Sequence, residues 1–143
     1  MEKKNTLLVA VLLVLVLVYV AFFTDWFRPR MIKLFYTTRH IEYYRARPDL
    51  PYVLFGLEGN YRLTEVKVVS LDDLKGNPNP LPQWHLISKS NSVPIRMFTY
   101  GEHIHGMRAA FKGEEAQALM TNEMYRLFVS AGKARGQIDF KIK

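Results

Sequence analysis

From Leu7 to Phe23 the chain reads LLVAVLLVLVLVYVAFF, an apolar run without a charged residue, whereas every later apolar stretch is short and interrupted. With Thr6 and Thr24 the run makes about 19 residues. At about 1.5 Å per residue a helix of that length spans about 28 Å, close to the ~30 Å hydrocarbon core of a bilayer. A cleaved secretory signal has an apolar core of only ~7–15 residues and ends at a small-x-small site. Here the run ends in Val20, Ala21, Phe22, Phe23, Thr24 and Asp25, which offers no such site. The pattern therefore predicts one uncleaved transmembrane helix over residues 6–27, after a short basic tail at residues 1–5. Tyr19, Phe22, Phe23, Trp26 and Phe27 gather near its outer end, where aromatic rings favour the headgroup zone, and Pro29 marks its expected limit.

Residues 28–50 read as a membrane-proximal connector that mixes Arg28, Arg30 and further basic residues with Phe35, Tyr36, Tyr43 and Tyr44. Flexible linkers are seldom so aromatic. The segment is expected to lie on the membrane surface, to pack on its own domain, or to dock on another membrane subunit, whose interface would favour Tyr, Trp and Arg.

From Pro51 to Lys143 the pattern changes to short alternating runs between turn clusters, the signature of a β domain. Tyr52–Phe55 is the first expected strand, bounded by Gly56 and then by Gly59-Asn60. Tyr61–Val69 is the second; Tyr61 and Leu63 stand on one parity and Val66 and Val68 on the other, which predicts a bulge or twist between them. Asp72–Pro82, with KGNPNPLP, is a loop by composition. Gln83–Ser88, Val93–Tyr100 and a weaker His103–Phe111 follow, with a helical turn or two expected around Gly113–Met120. Glu123–Val129 and Gln137–Ile142 alternate most cleanly, joined through AGKARG by a hairpin turn longer than two residues. The fold class expected is mainly β: a transmembrane helix, then a small sandwich of about seven strands.

The segment Leu119–Val129, LMTNEMYRLFV, resembles the stretch entering strand F of fibronectin type III and related immunoglobulin-like domains. There a Leu stands six residues before a Tyr and apolar residues follow at alternate positions. The resemblance implies an immunoglobulin-like β-sandwich in which Tyr125 is the tyrosine-corner residue, its hydroxyl bonding back to the backbone, and Trp84 is the Trp buried against the core. Domains of this class mostly bind or space other molecules, so the resemblance tilts the expectation away from an enzyme.

The formal net charge of +7 divides as eight Lys/Arg against four Asp/Glu in residues 1–50 and twelve against nine beyond. The basic residues form neither a helix stripe nor a nucleic-acid motif, so acidic headgroups or an acidic partner explain them better than nucleic acid. Lys3 and Lys4 before the helix favour a cytoplasmic N-terminus and a periplasmic or extracellular domain at the inner (cytoplasmic) membrane, although Arg28, Arg30, Lys33 and Arg39 count the other way. No cysteine is present, which removes thiol chemistry, and there is no Gly-x-Ser-x-Gly, phosphate loop or His-Glu-x-x-His.

MFTYGEHIHGM, Met97–Met107, is the one cluster with metal-ligand chemistry. In an extended segment His103 and His105 project to the same side. Glu102, His85 or Met107 would have to complete a site: thioether with imidazole suits copper, carboxylate with imidazole suits zinc. Two expectations follow. One is a non-catalytic accessory subunit whose helix and connector dock on a multi-subunit integral-membrane complex of respiratory, photosynthetic or transport type. The other is a membrane-anchored, metal-binding domain using His103 and His105.

Overall fold

The computed structural model describes residues 2–23, 30–38, 52–89 and 92–142. It divides into two compact units, Met1–Arg30 and Met31–Lys143. The first is α1, Glu2–Phe23. Leu, Val and Ala occupy all of its sides, and none of its residues is buried. A helix hydrophobic all round belongs in lipid or within other protein, and α1 is long and apolar enough to cross a membrane, as a membrane anchor or a signal sequence would be. It starts at Glu2, ahead of the apolar run. The Thr6 hydroxyl donates to the Glu2 carbonyl at 2.9 Å, and an acidic residue in the first turn suits the positive end of the helix dipole.

The second unit is mainly β. Its strands are β1 Leu34–Thr38, β2 Val53–Tyr61, β3 Glu65–Ser70, β4 Trp84–Ile87, β5 Ile95–Thr99, β6 Arg108–Ala109, β7 Met124–Ala131 and β8 Ala134–Lys141, with a short helix α2, Leu71–Gly76, after β3. They form two sheets, three-stranded in the order β1-β2-β5 and five-stranded in the order β6-β4-β3-β7-β8. Every strand pair is antiparallel. Alternation decides which face is buried: Val53, Phe55 and Leu57 on β2, and Tyr125, Leu127 and Val129 on β7, all turn inward. These rows meet in one core shared by both sheets. Phe140 of β8 sits in it, its ring 5.0 Å from Phe55, 5.8 Å from Tyr125 and 6.0 Å from Tyr36.

The structure departs from the sequence pattern at several places. Gly56 and Gly59 do not end the first strand, because β2 runs through both to Tyr61. At Gly56 the ring of Phe35, its partner on β1, lies where a side chain would stand: a Cβ there would come 2.0 Å from the ring. The aromatic ring thus covers backbone that the glycine leaves bare. Tyr61–Val69 is not one bulged strand. The chain leaves the first sheet at Tyr61 and joins the second at Glu65, crossing over through Leu63, which is fully buried and whose N–H donates to Ser92 Oγ at 2.8 Å. The change of parity marks a change of sheet.

The expected loop at Asp72–Pro82 begins with α2, and the weak strand at His103–Phe111 shrinks to the two residues of β6. Eight strands stand among the described residues, against about seven expected. The β7–β8 turn is shorter than expected, just Gly132 and Lys133, with Ala131 paired to Ala134. Gly132 has φ +63° at the first central position, where tight hairpin turns of the II′ class take glycine. The β unit starts at Met31, so the stretch 28–50 contributes a strand of its own.

Candidate functional site: apolar surfaces and the histidine loop

On α1, Tyr19 and Phe23 stack with ring centroids 5.1 Å apart, and Phe22 projects fully exposed beside them. This gives the end of the helix an aromatic surface of the kind headgroups or a neighbouring helix would take. Arg30 is exposed. Trp26, Phe27, Arg28, Tyr43 and Tyr44 lie outside the described residues.

In the β unit the segment before β1 is fixed to the edge of β8. The Ile32 N–H donates to the Arg135 carbonyl at 2.8 Å, Met31 bridges Arg135, and Ile32 is buried. Gly136 permits this contact: a Cβ there would lie 2.5 Å from the Ile32 carbonyl oxygen. Of the two aromatics on β1, Tyr36 turns towards Phe140 in its own core. Phe35 faces solvent, and the register Phe35↔Gly56↔Met97 lines up two half-exposed apolar side chains across the three-stranded sheet.

The segment with His103 and His105 is a loop rather than a strand, yet the alternation holds. Ile104 is buried between them, both imidazoles are exposed, and their ring centroids are 5.8 Å apart. The expected third ligands are engaged elsewhere. Glu102 accepts the Thr99 N–H at 2.8 Å, His85 Nε2 is 2.8 Å from the Glu65 carboxylate on the solvent face of the five-stranded sheet, and Met107 is buried. Among the described residues no group of three or more His, Cys, Asp or Glu could hold a metal ion.

Trp84 is buried, edge-on to Tyr100 at 5.3 Å and tilted against Phe98 at 6.1 Å. The Tyr100 hydroxyl donates to the Gln117 carbonyl at 2.6 Å, and burial pushes it well above the ordinary tyrosine range. The Tyr125 hydroxyl accepts the Met120 N–H at 2.8 Å and donates to the Glu123 carboxylate at 3.1 Å, closing the turn that leads into β7. Burial raises this hydroxyl too. Tyr125→Phe leaves the Met120 N–H without its acceptor, and a loss of about 1–2 kcal/mol is expected. Urea unfolding reads it as a lower midpoint at unchanged slope; an unchanged midpoint would show that the bond contributes nothing.

The sequence reading missed one polar pair. Arg126 and Asp139, directly opposite on β7 and β8, form a two-pronged contact at 2.6 and 3.0 Å. The Arg126 guanidinium holds the Asp139 carboxyl below the usual carboxylate range, and Asp139 raises Arg126 in return. Both residues alternate with core positions on their strands, so the signal was their opposite charge at paired register, which needs the register first. Comparison of the chain with protein-family models, curated proteins and solved structures gives no match.

Proposed function

We propose that this protein is a non-catalytic, single-pass accessory subunit whose helix and membrane-proximal segment dock on a multi-subunit integral-membrane complex, with an immunoglobulin-like β-sandwich on the outer face. The observation that carries this reading is α1 itself: a helix apolar on every side, with no buried residue, calls for lipid or other protein around it, and a multi-subunit membrane complex supplies both. The exposed Phe35 and Met97 extend the same argument to the β unit, since apolar side chains aligned across a sheet are material for a protein contact.

The strand order supports the immunoglobulin-like part of the reading. If β7 and β8 are strands F and G, then β3 beside β7 is strand C, β4 is the C′ strand next to it, and β1-β2-β5 is the A-B-E sheet. The bond to Tyr125 from backbone five residues upstream fits the tyrosine corner of strand F in the same scheme. Sandwiches of this kind brace and space partners.

Purification of the tagged native protein in mild detergent, with mass spectrometry of what co-elutes, tests the proposal. Co-elution with integral-membrane proteins at fixed ratio is expected. A lone protein from the same extract would sink the accessory-subunit reading.

A further inference from the structure

The β unit is polarised end to end. At the end that holds the β7–β8 turn, one row of paired residues runs Arg135, Ser130, Glu65, Ile87, Arg108 across the five-stranded sheet. Lys133 is in the turn itself. Arg62 lies just before Thr64, whose hydroxyl accepts the Gly132 N–H, and Lys89 just after Ser88, whose N–H donates to the Thr64 carbonyl. Arg96 follows Ile95, the partner of Tyr61 at the close of β2. These six basic side chains are all exposed. The described acids nearby are Glu58, engaged by the Tyr61 hydroxyl, and Glu65, engaged by His85.

The opposite end is acidic. Asp72 and Asp73 stand on α2, Glu102 caps the Thr99 N–H after β5, Glu123 precedes β7, and Glu114 and Glu115 lie in the loop that returns to Gln83. Lys75, Lys112 and Lys141 offset them in part, with Lys75 3.5 Å from Asp72. The chain arriving from α1 reaches the basic end first, since Met31 and Ile32 are bonded to Arg135. Seven residues lie between Phe23 and Met31, and the eight Cα-to-Cα steps, fully extended, reach at most about 29 Å.

We propose that the basic end of the β unit is a docking surface for anionic lipid headgroups. This rests on the reading that α1 crosses a bilayer. The β unit's first residues, Met31 and Ile32, are fixed at the end that carries exposed positive charge, a short length of chain from α1, and the opposite end carries the negative charge that an anionic surface would repel. Basic side chains within a Debye length of such a surface are drawn to it, and salt weakens the attraction.

The test exploits the absence of cysteine. Val93→Cys, near the basic end, and Met120→Cys, near the acidic end, each take one fluorophore in the full chain. The labelled proteins are reconstituted into phosphatidylcholine vesicles, with or without phosphatidylglycerol, that carry a headgroup quencher. Quenching at position 93 but not at 120 is expected, only with phosphatidylglycerol, and it should fade as salt approaches ~1 M, where the Debye length is about 3 Å.

Arg62→Glu, Lys89→Glu and Lys133→Glu each lower the ratio of docked to undocked label by at least roughly fivefold, the factor that ~1 kcal/mol per basic side chain implies. Equal quenching in both lipids, quenching at position 120 instead, or no response to the charge reversals overturns the proposal and leaves the basic end to an acidic protein. A chain that is stripped from the vesicles by alkaline carbonate instead fails the membrane-anchor reading, so the two failures are distinct.

Discussion

Phe140→Ala is expected to lower the stability of the β unit by about 3–5 kcal/mol, the range for removing a fully buried aromatic ring without refilling its space. The ring is not merely buried. It stands against Phe55 of the three-stranded sheet at 5.0 Å, edge-on, and against Tyr125 of its own sheet at 5.8 Å, with Tyr36 at 6.0 Å completing the cluster. Its loss removes apolar contact from both sheets at one point, and the backbones around it, held in register by β7–β8 and β1–β2 pairing, cannot collapse into the gap. The thermal midpoint should fall by about 10–20 °C. Phe140→Leu keeps most of the volume and should cost less than about 1.5 kcal/mol. Equal midpoints for the two variants would show that Phe140 does not join the sheets.

Gly136→Ala should be the most damaging single-methyl change, at about 2–4 kcal/mol, because the obstacle is backbone. The added Cβ would lie 2.5 Å from the Ile32 carbonyl oxygen and 3.0 Å from the Ile32 Cβ. Neither can swing aside as a long side chain could, so the segment must lift off β8. It would give up the bond from the Ile32 N–H to Arg135 and the burial of the Ile32 side chain. The damage should be local at first: hydrogen exchange at the Ile32 amide should accelerate well before that of the Leu127 amide in the core. Gly76→Ala is the control. Nothing lies within 4 Å of a Cβ at Gly76, and that change should be neutral or mildly stabilising. If Gly136→Ala unfolds at the same temperature as Gly76→Ala, the close approach has no energetic weight. Because this contact fixes which end of the domain the tether reaches, its loss should also blur the difference between labels at Val93 and Met120.

The features legible from sequence are those set by nearest neighbours along the chain. The run from Leu7 to Phe23 has the length and the apolar composition of a membrane-crossing helix, so the order of residues along the chain already marks the element. The alternation in Tyr125, Leu127 and Val129 and in Ile138, Phe140 and Ile142 likewise fixed two strands and their inward faces, since side-chain direction repeats every two residues. His103 and His105 project together for the same reason, even in a loop.

What failed depended on partners distant in sequence. Gly56 reads as a strand breaker until Phe35 is seen lying over it, and the Tyr61–Val69 run reads as one strand until its halves are seen in different sheets. His85 and Met107 were open as third ligands because nothing local says that Glu65 and the core hold them. By itself, then, the sequence determined the helix, the β character and the inward parity of the clearest strands, all short-range consequences of apolar spacing. Tertiary structure alone decided where strands begin and end, which polar groups are spent on one another, and that six of the scattered Lys and Arg collect at one end. Those depend on contacts between residues far apart in the chain, which hydrophobic periodicity does not encode.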